Sequence, residues 1–136
     1  GHLTASTVIF DPAGQRVLLT LHPRVGLWLQ LGGHCEPEDA TVLDTARREA
    51  LEESGIATLS FDPEPIGLDI HPITCSLGVP TRHFDVRYLA LAELGTAAVQ
   101  SDESLDLQWF PWDQLPEDTA PDVYVSVAAA RARLGR

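Results

Sequence analysis

The run from Gly32 to Ile56 constrains this chain more than any other part of it. It reads Gly32-Gly33-His34-Cys35-Glu36-Pro37-Glu38-Asp39, then a segment free of Gly and Pro from Ala40 to Ser54, then Gly55-Ile56. Paired glycines ahead of such a segment predict a turn feeding a helix over 40–54, with Gly55 as its stop. Asp39 suits the N-cap. Helical positions three and four apart are neighbours, so Glu49, Glu52 and Glu53 share an arc of about 100°. Leu43, Ala46, Ala50 and Leu51 form a separate apolar stripe that faces a core. Each like-charged pair costs only about 0.2–0.5 kcal/mol, which a solvated acidic face tolerates. Hard divalent cations take oxygen ligands and share their shell with water and phosphate. Three carboxylates beside a glycine that allows close backbone approach therefore make a candidate metal site, with Gly33, Glu49, Glu52 and Glu53 as donors. On the residues alone, that site and a plain acidic helix stand as equals.

The order of residues says more. Arg48-Glu49-Ala50-Leu51-Glu52-Glu53-Ser54-Gly55-Ile56, following a Gly-Gly, resembles the Nudix box. Its second half, Arg-Glu-aliphatic-any-Glu-Glu-any-Gly-aliphatic, matches at every constrained position. The first half departs. Five residues after Gly33 comes Asp39 where the box has glutamate, and eight residues rather than seven separate Asp39 from Arg48. Counting back from Arg48 places Ala40 at the acidic position. The family's usual proline before the glycines is Leu31 here. The resemblance implies Glu52 and Glu53 as main ligands of Mg²⁺, or of Mn²⁺ in its place, with the Gly33 carbonyl assisting. It makes Glu49 a ligand or the general base. Arg48 orients the glutamates rather than touching substrate, since its fixed fork suits carboxylates.

At 136 residues and 44% hydrophobic, the chain reads as one domain, 1–136, with a core of its own. No apolar run approaches the ~20 residues of a membrane span, and no signal-peptide pattern opens it. The formal net charge of −11, with no basic cluster, argues against nucleic-acid polymers as partners. Small anionic ligands fit once metal ions screen the carboxylates. Two cysteines are too few for a disulfide framework, and a reducing cytoplasm is the expected location. Neither His34 with Cys35 nor His71 with Cys75 has a recognised zinc spacing. A homodimer is left open.

Taken in order, Leu3–Phe10 predicts a strand, Asp11-Pro12-Ala13-Gly14 a turn, and Arg16–Leu21 the returning strand. The loop His22–Gly26 precedes a short strand, Leu27–Leu31, and leaves Arg24 either an ordinary exposed loop arginine or one placed to meet a phosphate. Trp28 is expected to pack in the core. Strands are also expected at 57–61, at 66–75 interrupted by Pro72 as an edge or a bulge, at 82–92 and at 105–110. Within 82–92, His83, Asp85 and Arg87 share one face, either lining a pocket or forming the solvated side of an edge strand. Helical spacing returns at Val123, Val127, Ala130 and Leu134, behind Pro121 at the first turn. The acidic loop before Leu105 resembles the one from which Nudix domains send a carboxylate to the metal. Glu103 is the candidate there, as ligand or base, with Asp102 second; the alternative is a solvated loop acid.

These readings imply an α/β Nudix fold, a mixed β-sheet sandwiched between helices. The expected activity is metal-dependent hydrolysis of a phosphoanhydride in a nucleoside diphosphate linked to another moiety. Its partner is a small nucleotide or nucleotide derivative. Two alternatives share the fold: a nucleotide-sugar binding module without catalysis, and an isopentenyl-diphosphate isomerase-like enzyme using Cys35.

Overall fold

A computed structural model of the chain describes residues 2–74, 80–96 and 105–135. Its elements are β1 (His2–Phe10), β2 (Arg16–Leu21), β3 (Trp28–Leu29), β4 (Leu31–His34), α1 (Val42–Ser54), β5 (Ser60–Phe61), β6 (Gly67–Thr74), β7 (Pro80–Leu91), β8 (Asp106–Pro111) and α2 (Pro121–Arg133). All strands join one mixed sheet with the order β3-β2-β1-β7-β5; β4 pairs with β1, β6 with β7 and β8 with β2. β1 and β7 run parallel through the centre, in register from His2 opposite His83 to Phe10 opposite Leu91. The other strand pairs are antiparallel.

Alternation along β1 sorts its side chains to two faces. Val8 and Phe10 join Val17, Leu19 and Leu89 under Val123, Val127 and Ala130 of α2. Ile9 joins Leu18, Leu31 and Ala90 under Ala50 of α1, and Ala5 meets Ala46 and Tyr88. The sheet therefore lies between the two helices, as expected. No helix among the described residues is long and apolar enough to cross a membrane.

Several local expectations are corrected. The paired glycines do not turn: Gly32 and Gly33 lie inside β4, opposite Ser6 and Ala5 of β1, and neither has a positive φ. The single strand expected at 27–31 is two short ones, β3 and β4, that pair with different neighbours. α1 starts at Val42, not Ala40, because Thr41 is the cap: its Oγ1 accepts the Asp44 N–H at 3.1 Å. Leu51 leaves the expected stripe and is exposed, while Ala46 and Ala50 are buried. The strand expected over 57–61 shrinks to Ser60–Phe61. β7 is interior rather than an edge, flanked by β1 and β6, which excludes the solvated-edge reading of His83, Asp85 and Arg87. β6 runs through Pro72 without the expected break, and among the described residues it pairs with β7 alone, so Pro72 sits on an edge strand. Trp28 packs edge-on against Phe110, with ring centroids 4.9 Å apart.

Candidate active site

α1 is fixed at both ends. Thr41 caps its start, and Gly55 closes it at φ 70°, returning its N–H to the Leu51 carbonyl at 2.8 Å. The small side chains of Ala46 and Ala50 let the helix lie close on the sheet. That closeness carries its carboxylates onto the backbone of β4. Glu53 Oε1 accepts the Gly32 N–H at 2.9 Å. A Cβ at Gly33 would stand 2.5 Å from the Glu49 carboxyl carbon, so only glycine leaves room for Glu49 there. At Gly32 a Cβ would strike the Ala5 carbonyl and lie 2.7 Å from the Ser6 Cα. Close approach, not a turn, is what these two glycines supply.

Arg48 organises the acidic side chains. Its Nε donates to Asp39 Oδ1 at 3.0 Å and its Nη2 to Asp39 Oδ2 at 2.9 Å, a two-pronged carboxylate pair. Nη1 donates to Glu49 Oε2 at 2.8 Å and reaches Glu52 Oε2 at 3.4 Å, while Nη2 also bonds the His34 carbonyl at 3.0 Å. Asp39 further accepts from the Glu36 N–H at 3.0 Å and from Thr45 Oγ1 at 2.8 Å. It is thus the partner of Arg48 rather than the N-cap. The loop's extra residue and the shorter side chain still bring a carboxylate to the arginine. The Arg48 hydrogen bonds, and then the Glu36 N–H, hold the Asp39 carboxyl well below the usual carboxylate range. The same contact, ahead of that with Glu49, raises the Arg48 guanidinium.

The donor set fits a hard divalent cation. Asp39, Glu49 and Glu52 share one guanidinium, and Glu53 adds another carboxylate, so negative charge is in excess. Glu52 is 58% exposed and Glu49 14%, a gradient from solvent to the Gly33 backbone. Oxygen donors of this type hold Mg²⁺ while leaving coordination positions for water and phosphate.

Gly32 and Gly33 also line a cavity of about 270 Å³ on the α2 face of the sheet. Thr4, Ser6 and Asp85 form its floor, Gln30 and Asp122 its α2 side, and His34 and His83 its rim. Asp85 is buried and accepts from Thr4 Oγ1 at 2.8 Å, Ser6 Oγ at 2.7 Å and Arg87 Nε at 3.3 Å. Arg87, also buried, reaches Asp122 at 2.9 Å and Asp69 at 3.1 Å. It ties β7, β6 and α2 together beneath the cavity. Gln30 donates to Ser126 Oγ at 3.2 Å, which brings the start of β4 against α2.

Of the expected binding residues, His83 and Asp85 line the cavity, and Arg87 braces its floor. Arg24 is exposed in its loop and does not line it; His22 of the same loop does. Glu103 and Asp102 lie outside the described residues. The Cys35 N–H bonds the Leu3 carbonyl at 3.0 Å, extending the β1–β4 pairing, and alternation directs its side chain to the α1 face, away from the cavity. Sequence reasoning missed Thr4, Ser6, Gln30 and Asp122. Polar residues alternating with Ala5 and Thr7 inside an otherwise apolar strand were the available signal for the first two. A second cavity, about 240 Å³ beside Trp112, Leu115 and Arg131, has no carboxylate among the described residues that line it.

The sheet lies between two helices, with Arg48 and its glutamates beside β4. A NUDIX domain model matches residues 1–129, and the chain belongs to the Nudix hydrolase family. It is 33% identical over 136 residues to the m7GpppN-mRNA hydrolase NUDT17 of Bos taurus, covering 90% of this chain and 42% of that protein. Against the Danio rerio protein of the same name it is 35% identical over 96 residues, 62% of this chain and 31% of the relative. The chain thus spans less than half the length of these relatives. Among solved structures, a C. elegans Ap4A hydrolase binary complex superposes with a TM-score of 0.80 at 19% identity, covering 99% of this chain and 98% of that one. The NUDIX domain of Shewanella oneidensis NrtR, complexed with ADP ribose, superposes with a TM-score of 0.73 at 26% identity, covering 98% and 88%.

Proposed function

We propose that this chain hydrolyses a phosphoanhydride bond in a nucleoside diphosphate linked to another moiety, with Mg²⁺ or Mn²⁺ as cofactor. One observation carries the reading. Gly32 and Gly33 touch the α1 carboxylates on one side and line the cavity on the other. A nucleoside seated over Asp85, Thr4 and Ser6 would place its phosphates across β4 beside Glu49, Glu52 and Glu53. Those glutamates and the Gly33 carbonyl would hold the ion, which when bound would supply neutralisation of phosphate charge and a lowered pKa for its water. Arg48 holds Glu49 and Glu52 in position and anchors them to Asp39. Glu49, the least exposed glutamate Arg48 holds, is the candidate to take a proton from water. Glu103 keeps its place as a further candidate ligand or base on sequence grounds alone.

NUDT17 by name acts on capped mRNA, and the C. elegans neighbour by name on Ap4A. Both are nucleotides joined through phosphoanhydrides, the class proposed here. The test is a panel of dinucleoside polyphosphates, nucleotide sugars, nucleoside triphosphates and a cap dinucleotide, each with Mg²⁺ and with Mn²⁺, following phosphate or nucleotide release. Metal-dependent cleavage of one class supports the proposal. Tight binding without cleavage of any member would favour the binding-module alternative.

A further inference from the structure

Three imidazoles meet at the cavity's rim, each from a different strand. His2 lies opposite His83 in the parallel β1–β7 register, and His34 lies opposite Thr4, two residues along β1 from His2. Side chains alternate along a strand, so all three project from the α2 face. The ring centroids are 5.5 Å apart for His2 and His34, 5.6 Å for His2 and His83, and 5.1 Å for His34 and His83. One ligand atom from each ring lies within 4.8 Å of the other two.

Two of these contacts are edge-on and the one between His2 and His83 is tilted, and His2 and His34 are both exposed. Convergent imidazole nitrogens suit a borderline transition ion. With metal–nitrogen bonds of about 2.0–2.1 Å, tetrahedral geometry sets ligand nitrogens about 3.4 Å apart. Side-chain rotations can close the remaining gap of up to about 1.4 Å.

We propose that His2, His34 and His83 bind one Zn²⁺-class cation, separate from the carboxylate site on α1. Neutral imidazole favours Zn²⁺, Co²⁺, Ni²⁺ or Cu²⁺, whereas carboxylate and carbonyl oxygen favour Mg²⁺. Three protein ligands leave a fourth position open. His34 and His83 line the cavity, so an ion held there would sit beside it and could take an oxygen from water or from a bound anion. This inference is independent of the hydrolase reading, because it rests on strand register and ring distances.

Co²⁺ is the probe, titrated into the 136-residue chain without added histidines, in excess Mg²⁺ to fill the carboxylate site. The expected result is one equivalent bound with the strong visible bands of a four-coordinate ion. His34→Ala and His83→Ala should each weaken it by about tenfold or more, while Glu52→Gln with Glu53→Gln should leave the spectrum unchanged. His34→Asn and His83→Asn, with circular dichroism as the check on folding, separate lost ligands from lost structure. A weak six-coordinate spectrum, or binding that survives the histidine changes and disappears with the glutamate changes, would overturn the proposal.

Discussion

The two faces of the sheet build their halves of the site by different means. On the α1 side, Glu49, Glu52, Glu53 and Arg48 come from two turns of one helix, and helix geometry alone sets their spacing. On the α2 side, the cavity draws Thr4 and Ser6 from β1, Gln30 from the residue before β4, Asp85 from β7 and Asp122 from α2. These meet only once the parallel β1–β7 register and the packing of α2 are in place. In the proposed function a local device would carry the metal chemistry, and a long-range assembly would carry recognition. Substitutions in the first are therefore expected to act on turnover, and those in the second on KM.

The paired glycines separate the two most sharply. In Gly33→Ala the new methyl meets the end of the Glu49 side chain, which yields by moving, so the fold should survive while a proposed ligand is misplaced. Turnover should fall about 10²-fold, the cost of displacements near 1 Å at a reacting centre. In Gly32→Ala the methyl meets the β1 backbone, which does not yield, and overpacking of this kind costs about 1–3 kcal/mol. Thermal unfolding beside kcat for both variants checks the contrast. Equal effects on stability would break it.

Arg48→Lys comes next. A lysine cannot reproduce the fork to Asp39 while also holding Glu49. As an orienting side chain behind metal ligands, its loss should cost about 10–100-fold in kcat. Acid sensitivity sharpens the point. The folded Asp39 carboxyl titrates below its unfolded value, so its stabilisation is present above the ordinary carboxylate pKa and lost as pH falls through the folded one. Asp39→Asn should therefore flatten the acid limb of the stability profile followed by circular dichroism. An unchanged acid limb would mean that other carboxylates set it.

A smaller effect is expected across the sheet. Asp122→Asn leaves Arg87 its contacts with Asp85 and Asp69 but removes a charge from the cavity wall. KM should rise a few-fold with kcat nearly constant. Smallest of all, Arg24→Ala should leave both constants close to the parent values, since Arg24 is exposed and does not line the cavity. A large rise in KM there would show the 22–26 loop taking part in binding.

The same division explains what could be read from the chain. The glutamate arc and its arginine were legible because contiguous residues on a helix fix their own geometry. Asp39 as the arginine's partner was half legible: counting from Gly33 reaches it, but only the folded loop shows that it meets Arg48. The glycines were misread as a turn because a strand that needs glycine for close approach looks locally like one that needs it for bending. The cavity was mostly illegible, as Ser6 and Asp85 are 79 residues apart and meet through strand register. The histidine cluster was hidden for the same reason, its members standing at positions 2, 34 and 83.

Mn²⁺ binding to the parent and to Glu53→Gln, followed by electron paramagnetic resonance alongside turnover, tests the metal assignment most directly. Glutamine keeps a side-chain oxygen for the Gly32 N–H, so β4 and α1 should stay together while the ligand charge is lost. Weakened Mn²⁺ binding with turnover reduced about 100-fold or more is the predicted result. Unchanged Mn²⁺ affinity and unchanged turnover at saturating metal would contradict the assignment of the α1 carboxylates as the metal site.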